Sequence, residues 1–199
     1  MTRLSPASPE QLAASKDLLN VAAAAMGFEA NSLKIMARNP AMLQGFMMLS
    51  GAILGPGAKL DPILRQMIAH ITSAAAGCNY CQAHSAHGAQ HRGLSADKLD
   101  AIWSFEDSPL FTNAERAALS LALAAGTVPN QSTDEHFTEL KSHFSEDEIT
   151  EIVGVIALFG FLNRWNDTLA TVLEDSPLAF AQAHLSARGW AVGKHEKSD

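Results

Sequence analysis

The chain has 199 residues, 47% of them hydrophobic and 18% charged, and a formal net charge of −7. That length buries a core without disulfide or metal staples, and the composition argues against disorder. No Lys/Arg cluster occurs, so a nucleic-acid partner, which needs a basic face for phosphates, is set aside.

In chain order, the segment Met1 to Glu10 is polar and lacks the apolar stretch of a secretory signal, so a cytoplasmic protein is expected. Ser8-Pro9 then places a capping hydroxyl before a proline, the N-cap and N1 arrangement of a helix start. Asn39-Pro40, Asp61-Pro62 and Ser176-Pro177 repeat it. Thr112…Glu115, Ser132…Glu135 and Ser145…Glu148 have capping-box spacing. Between these starts, Leu64, Met67, Ile68 and Ile71, and again Ile149, Ile152, Val153 and Ile156, keep helical periodicity. Gly55-Pro56-Gly57 and Gly126 to Pro129 read as loops, and no alternating strand pattern is visible. The apolar run Ile152 to Leu162 is 11 residues, too short to cross about 30 Å of hydrocarbon, so no membrane partner is expected.

The sequence thus predicts an all-α bundle of roughly eight to ten helices in one compact domain. A helical arm would cover residues 1–54, a core 55–175, and a C-terminal helix with a tail 176–199, frayed from Gly193 onward.

The two cysteines fall within one Cys78-Asn79-Tyr80-Cys81 segment. Two adjacent thiols without a signal sequence point to a reducing compartment and a redox or metal role. Gly77 lets the chain turn, and Tyr80 to His91 reads as a helix, so both thiols sit near a helix N-terminus where the dipole favours thiolate. His84 follows Cys81 by one turn and can exchange a proton with it; His87 and His91 lie on a neighbouring face. Zinc held by Cys78, Cys81, His84 and His87 is disfavoured, because C-x2-C-x2-H-x2-H puts all four on one short helix without a closing loop. Haem attachment needs a histidine where Gln82 stands. Two inert core thiols remain a third reading.

The run Leu64 to Ala69 together with Gly77-Cys78-Asn79-Tyr80-Cys81-Gln82-Ala83-His84 resembles the carboxymuconolactone decarboxylase superfamily, specifically its AhpD-like alkylhydroperoxidase branch. The segment Glu148 to Asn166 resembles the C-terminal helix of its peroxidase-related subgroup. The resemblance implies no metal or organic cofactor, a homo-oligomer (trimer or hexamer), a small hydroperoxide substrate and a dithiol electron donor. It further implies Cys81 as the attacking thiol, Cys78 as the resolving thiol and His84 as the proton-transfer group, whereas the helix dipole alone favours Cys78 as the more acidic. Two positions depart from the family pattern. Gln66 stands where a relay glutamate is usual, and Ser85 stands where the histidine is usual. His70, one turn from Gln66, is the expected substitute. The expected activity is reduction of an alkyl hydroperoxide through Cys78 and Cys81. The alternatives are a thiol–disulfide redox or stress sensor without efficient turnover, and a helical oligomer with idle thiols.

Overall fold

The computed structural model describes residues 2–197. Among these, 69% are helical and none is in a strand, and eleven α-helices carry the fold. Four form the N-terminal part: α1 (Pro9–Ala14), α2 (Lys16–Met26), α3 (Asn31–Met36) and α4 (Pro40–Leu54). The centre holds α5 (Pro62–Ala75), α6 (Asn79–His91), α7 (Ala96–Asp100), α8 (Asn113–Gly126), α9 (Asp134–Lys141) and α10 (Glu146–Leu169), and α11 (Asp175–His184) follows. No described helix is long and apolar enough to cross a membrane.

Most expected starts hold. Ser8, Asn39, Asp61, Thr112 and Ser145 each cap the backbone of the helix behind them, and Ser8, Thr112 and Ser145 complete reciprocal capping boxes. Two are shifted. The box expected at Ser132 is made one residue later by Thr133 and His136, because Ser132 instead turns back onto Asn130. The last helix is capped at Glu174 rather than Ser176, since Ser176 spends its hydroxyl on His87 Nε2 at 3.0 Å.

Two apolar clusters organise the packing. The larger joins α5, α6, α8, α9, α10 and α11 around Met67, Ile68, Ile71, Leu119, Leu121 and Ile152, all essentially inaccessible. Full burial of such a side chain contributes about 1.5–3 kcal/mol. The smaller gathers Leu33, Met36 and Leu43 of α3 and α4, with Trp165 from α10 laid against them. α10 is therefore shared by both clusters. α4 buries only Leu43, and its Met48 is 71% exposed, leaving an apolar face uncovered on the single chain.

The expectation of a frayed tail from Gly193 fails. A 3-10 helix, Gly193–His195, folds back onto the body, and Leu173 donates its N–H to the His195 carbonyl at 2.9 Å. Only residues 198–199 of that tail lie outside the described residues.

Candidate active site

The thiols are positioned by the way α5 ends. Gly77 adopts φ +72, the left-handed conformation that other residues adopt at a cost. Its N–H donates to the Ala74 carbonyl, and the next N–H, that of Cys78, donates to Ser73 O at 3.0 Å. This pair of bonds is a Schellman motif, which satisfies carbonyls the helix end would leave open. Cys78 then serves as the N-cap residue of α6, so one residue closes one helix and opens the next.

Both thiols are buried, at 0% and 2% exposure, and the two sulfurs lie 3.5 Å apart without a bond. The Cys78 thiol is held below its ordinary range, chiefly because the Cys81 S–H donates to its sulfur. Burial and the Asp167 charge oppose this, and the Cys81 and Tyr80 amides at the helix start add to it. Cys81 is pushed well above the thiol range, first by burial and then by its role as donor to Cys78. Asn166 of α10 points its side-chain N–H at Cys81 Sγ, 3.6 Å away. The pair is thus asymmetric: an acidic sulfur beside one that keeps its proton.

His84 lies one turn beyond Cys81, and its Nε2 meets Glu174 Oε2 at 2.6 Å while its ring stacks on Tyr80 at 4.3 Å. Glu174 also accepts from the Tyr80 hydroxyl at 2.8 Å and from the Asn31 N–H. Burial raises the Glu174 pKa, but the His84 charge and these donors outweigh it, so the carboxyl is held below its usual range. Tyr80 is pushed well above the phenol range by burial, with the Glu174 charge acting in the same direction. One buried carboxylate therefore ties α3, α6 and α11 together beside the thiols.

The other expected relay residues find partners other than the sulfurs. A Cβ added to Gly88 would meet Gln66 Oε1 at 2.8 Å, which places that side chain seven residues past Cys81 along α6. His70 meets α6 through Nδ1, 3.1 Å from Gln82 O and 3.3 Å from the Ser85 hydroxyl, and burial lowers its pKa to about 4. Ser85 in turn donates to the Cys81 carbonyl at 2.7 Å rather than to a thiol. His87 pairs with Ser176 and packs against His91, Phe28 and Phe180. Glu115 keeps its capping box and pairs with Lys98 at 2.6 Å.

Two residues that the sequence did not group with Cys78 border it, Asp167 and His195. Cys78, Asp167 and His195 offer a sulfur, a carboxylate oxygen and a ring nitrogen all within 4.8 Å of one another. Asp167 Oδ2 pairs with Lys194 Nζ at 2.8 Å. These are donor types that a cation accepts, but an ammonium already seated on the carboxylate works against a second positive charge. A separate open cavity of about 270 Å³ lies beside Gly77 and Asn79, lined by His70, Trp103, Arg188 and Trp190.

An all-helical bundle that presents a buried dithiol at the turn between two core helices defines a class, the helical dithiol proteins. Residues 40–124 match the carboxymuconolactone decarboxylase family model. The chain belongs to this family. The debrominase Bmp8 is 33% identical with a TM-score of 0.84, covering 92% of this chain and 97% of its own. A Cys-to-Ala variant of Bmp8, solved in complex with 2,3,4-tribromopyrrole, agrees at 32% identity and a TM-score of 0.85. The Escherichia coli K12 protein YnjA is 32% identical over 110 residues, a match that spans 55% of this chain and 60% of YnjA. A peroxidase-related protein with an AhpD core from Ralstonia eutropha is 23% identical with a TM-score of 0.75, covering 88% of this chain and 94% of its own, a likeness of fold.

Proposed function

We propose that this chain is a dithiol reductase in which Cys78 attacks a small electrophile and Cys81 resolves the product as a disulfide. The observation that carries this is the asymmetric pair: an acidified Cys78 sulfur 3.5 Å from a Cys81 that stays protonated. A thiolate is the nucleophile, and a resolving thiol must be within reach without competing for the first attack. This order reverses the one implied by the family resemblance. With a hydroperoxide, the Cys78 thiolate attacks the outer oxygen and expels the alcohol, giving a sulfenic acid. Cys81 then displaces water, so ROOH and two thiols become ROH, water and one disulfide. An external dithiol restores the pair.

A second electrophile is favoured by a specific observation, the likeness to a debrominase over 92% of this chain. With a brominated aromatic, Cys78 would take the bromine, the ring would take a proton, and Cys81 would displace bromide from sulfur. The same two thiols and the same disulfide result. The uncovered apolar face of α4 supports assembly of several copies of this chain.

The test is a single turnover of reduced protein under argon. Cumene hydroperoxide or 2,3,4-tribromopyrrole is added at one equivalent, and free thiols, alcohol and bromide are counted. Loss of two thiols with alcohol formation supports the peroxide reading, and loss of two thiols with bromide release supports the second. Retention of both thiols with either substrate overturns the proposal.

A further inference from the structure

The segment after α11 recrosses the dithiol. The Trp190 indole N–H donates to Asn79 O at 3.0 Å, and the following 3-10 helix sets His195 at 1% exposure against Thr171 and Asp167. His195 Nδ1 lies 2.8 Å from the Thr171 carbonyl. A carbonyl only accepts, so Nδ1 carries the hydrogen, and in the neutral ring Nε2 is left with a lone pair. That Nε2 is buried, finds no hydrogen-bond partner in the described chain and stands 3.8 Å from Asp167 Oδ1. Leaving a buried polar atom unpaired costs about 1–3 kcal/mol, so this one calls for an explanation. Within the Cys78–Asp167–His195 set, whose donor atoms lie within 4.8 Å of one another, the Cys78 thiol is the member with a proton to give.

We infer that His195 Nε2 accepts the Cys78 thiol proton, making the nucleophile a Cys78–His195 pair with Asp167 beside the imidazolium. This rests on the reading that Cys78 attacks. The S–H proton moves to Nε2, the Cys78 thiolate attacks, and in the peroxide case the proton passes from His195 to the departing alkoxide. Atoms and charge balance without a further reactant. Burial, aided by the Lys194 charge, holds His195 below 6.5, so the ring is an available base at neutral pH, while the Thr171 carbonyl and the Asp167 charge favour it once protonated. The other groups facing this pair are Cys81 and Tyr80 from α6, with the Tyr80 ring 5.7 Å from His195, Asn166 from α10 and Lys194 on Asp167. His84 stacks on Tyr80 and pairs with Glu174, so it serves a different cluster.

The experiment reads the thiol directly and needs no substrate. The reduced full-length chain is alkylated with iodoacetamide from pH 5.5 to 9.5, and Cys78 modification is followed by peptide mass spectrometry. His195→Asn keeps an amide N–H for Thr171 and removes the base. Its Cys78 alkylation should fall about tenfold or more at pH 6 and match the wild type at pH 9.5, an upward shift of about one pKa unit. His195→Ala should lose the same low-pH rate and regain it with added imidazole. His195→Gln, whose amide can also donate to the Thr171 carbonyl and is no base at these pH values, should move the profile in the same direction and serves as the decisive variant if the other two unfold. An unshifted profile, an equal loss at every pH, or stoichiometric bound zinc protecting Cys78 in the wild type would each overturn the inference. A shifted profile in a protein that reduces neither test substrate would sink the proposed activity and leave the His195 assignment standing.

Discussion

Replacing Glu174 removes an acceptor that three elements share. The Tyr80 hydroxyl at 2.8 Å, His84 Nε2 at 2.6 Å and the Asn31 N–H all converge on this one carboxylate, whose side chain is 9% exposed. Each donor stranded in such a site costs about 1–3 kcal/mol, but neighbouring losses do not add in full. Glu174→Ala should therefore cost about 3–5 kcal/mol, the range for breaking one side of a buried charged pair. Glu174→Gln keeps the volume and one acceptor oxygen and should cost about 1.5–3 kcal/mol, the worth of hydrogen bonds to a charged group. The pH dependence has a definite sign. The folded pKa of Glu174 is depressed, so its stabilisation is present above the unfolded value of about 4.5 and is lost as pH falls through the folded pKa. Urea unfolding followed by circular dichroism from pH 3 to 8 measures this directly. The wild-type advantage over Glu174→Gln should be full at pH 6–8 and shrink below pH 4.5. A Gln variant as stable as the wild type at pH 7, or a gap that ignores pH, would refute the reasoning.

In mild iodoacetamide at pH 7, Cys78 should be modified well ahead of Cys81, because Cys78 is acidified and Cys81 is pushed up by burial; peptide mapping that finds Cys81 first would reverse the assigned roles. Gln66→Glu, which restores the family's usual residue, should leave the pH profile of Cys78 alkylation unchanged, since that side chain lies at Gly88; a shift of about half a unit or more would place it in the thiol's field. Gly77→Ala forces a left-handed conformation on a residue with a Cβ and should cost about 1–2 kcal/mol, read as a lower Tm; an unchanged Tm would show that the turn does not depend on glycine. Met48→Asp should lower the assembly size in sedimentation velocity if α4 packs between copies, and an unchanged sedimentation coefficient would remove α4 from any interface.

Local signals carried much of this architecture into the primary sequence. Asp61-Pro62, Thr112…Glu115 and Ser145…Glu148 are cap chemistry within four residues, so their outcome depended on nothing distant. Gly77 before the first cysteine was similarly legible, because the turn it permits is a property of its own backbone. The relay residues were harder, because α5 and α6 run antiparallel from that turn. Such a hairpin sets His70 against Ser85 and Gln66 against Gly88, so residues farther back from the turn meet residues farther past it. Glu174, Asp167 and His195 gave little warning. A carboxylate before Ser-Pro and a histidine in a charged tail look solvated in one dimension, and only the return of α11 and the last turn buries them. Among the described residues, Asn163 and Arg164 of α10 form no hydrogen bond to another helix. The buried Asn163 amide has no partner there, and Arg164 bonds back to Gly160 of its own helix.

The Trp190–Asn79 bond spans 111 positions of the chain. During synthesis at about 5–20 residues per second, the dithiol leaves the ribosome roughly 5–20 s before the residues that roof it. Throughout that interval α6 exists without His195, and for most of it without Asp167 or Glu174. The pairing of Cys78 is thus timed by translation: the thiol meets the imidazole beside it only when the final turn docks. A carboxyl-terminal fusion that hinders docking would leave an otherwise folded bundle in which Cys78 keeps its bond from Cys81 but lacks the imidazole.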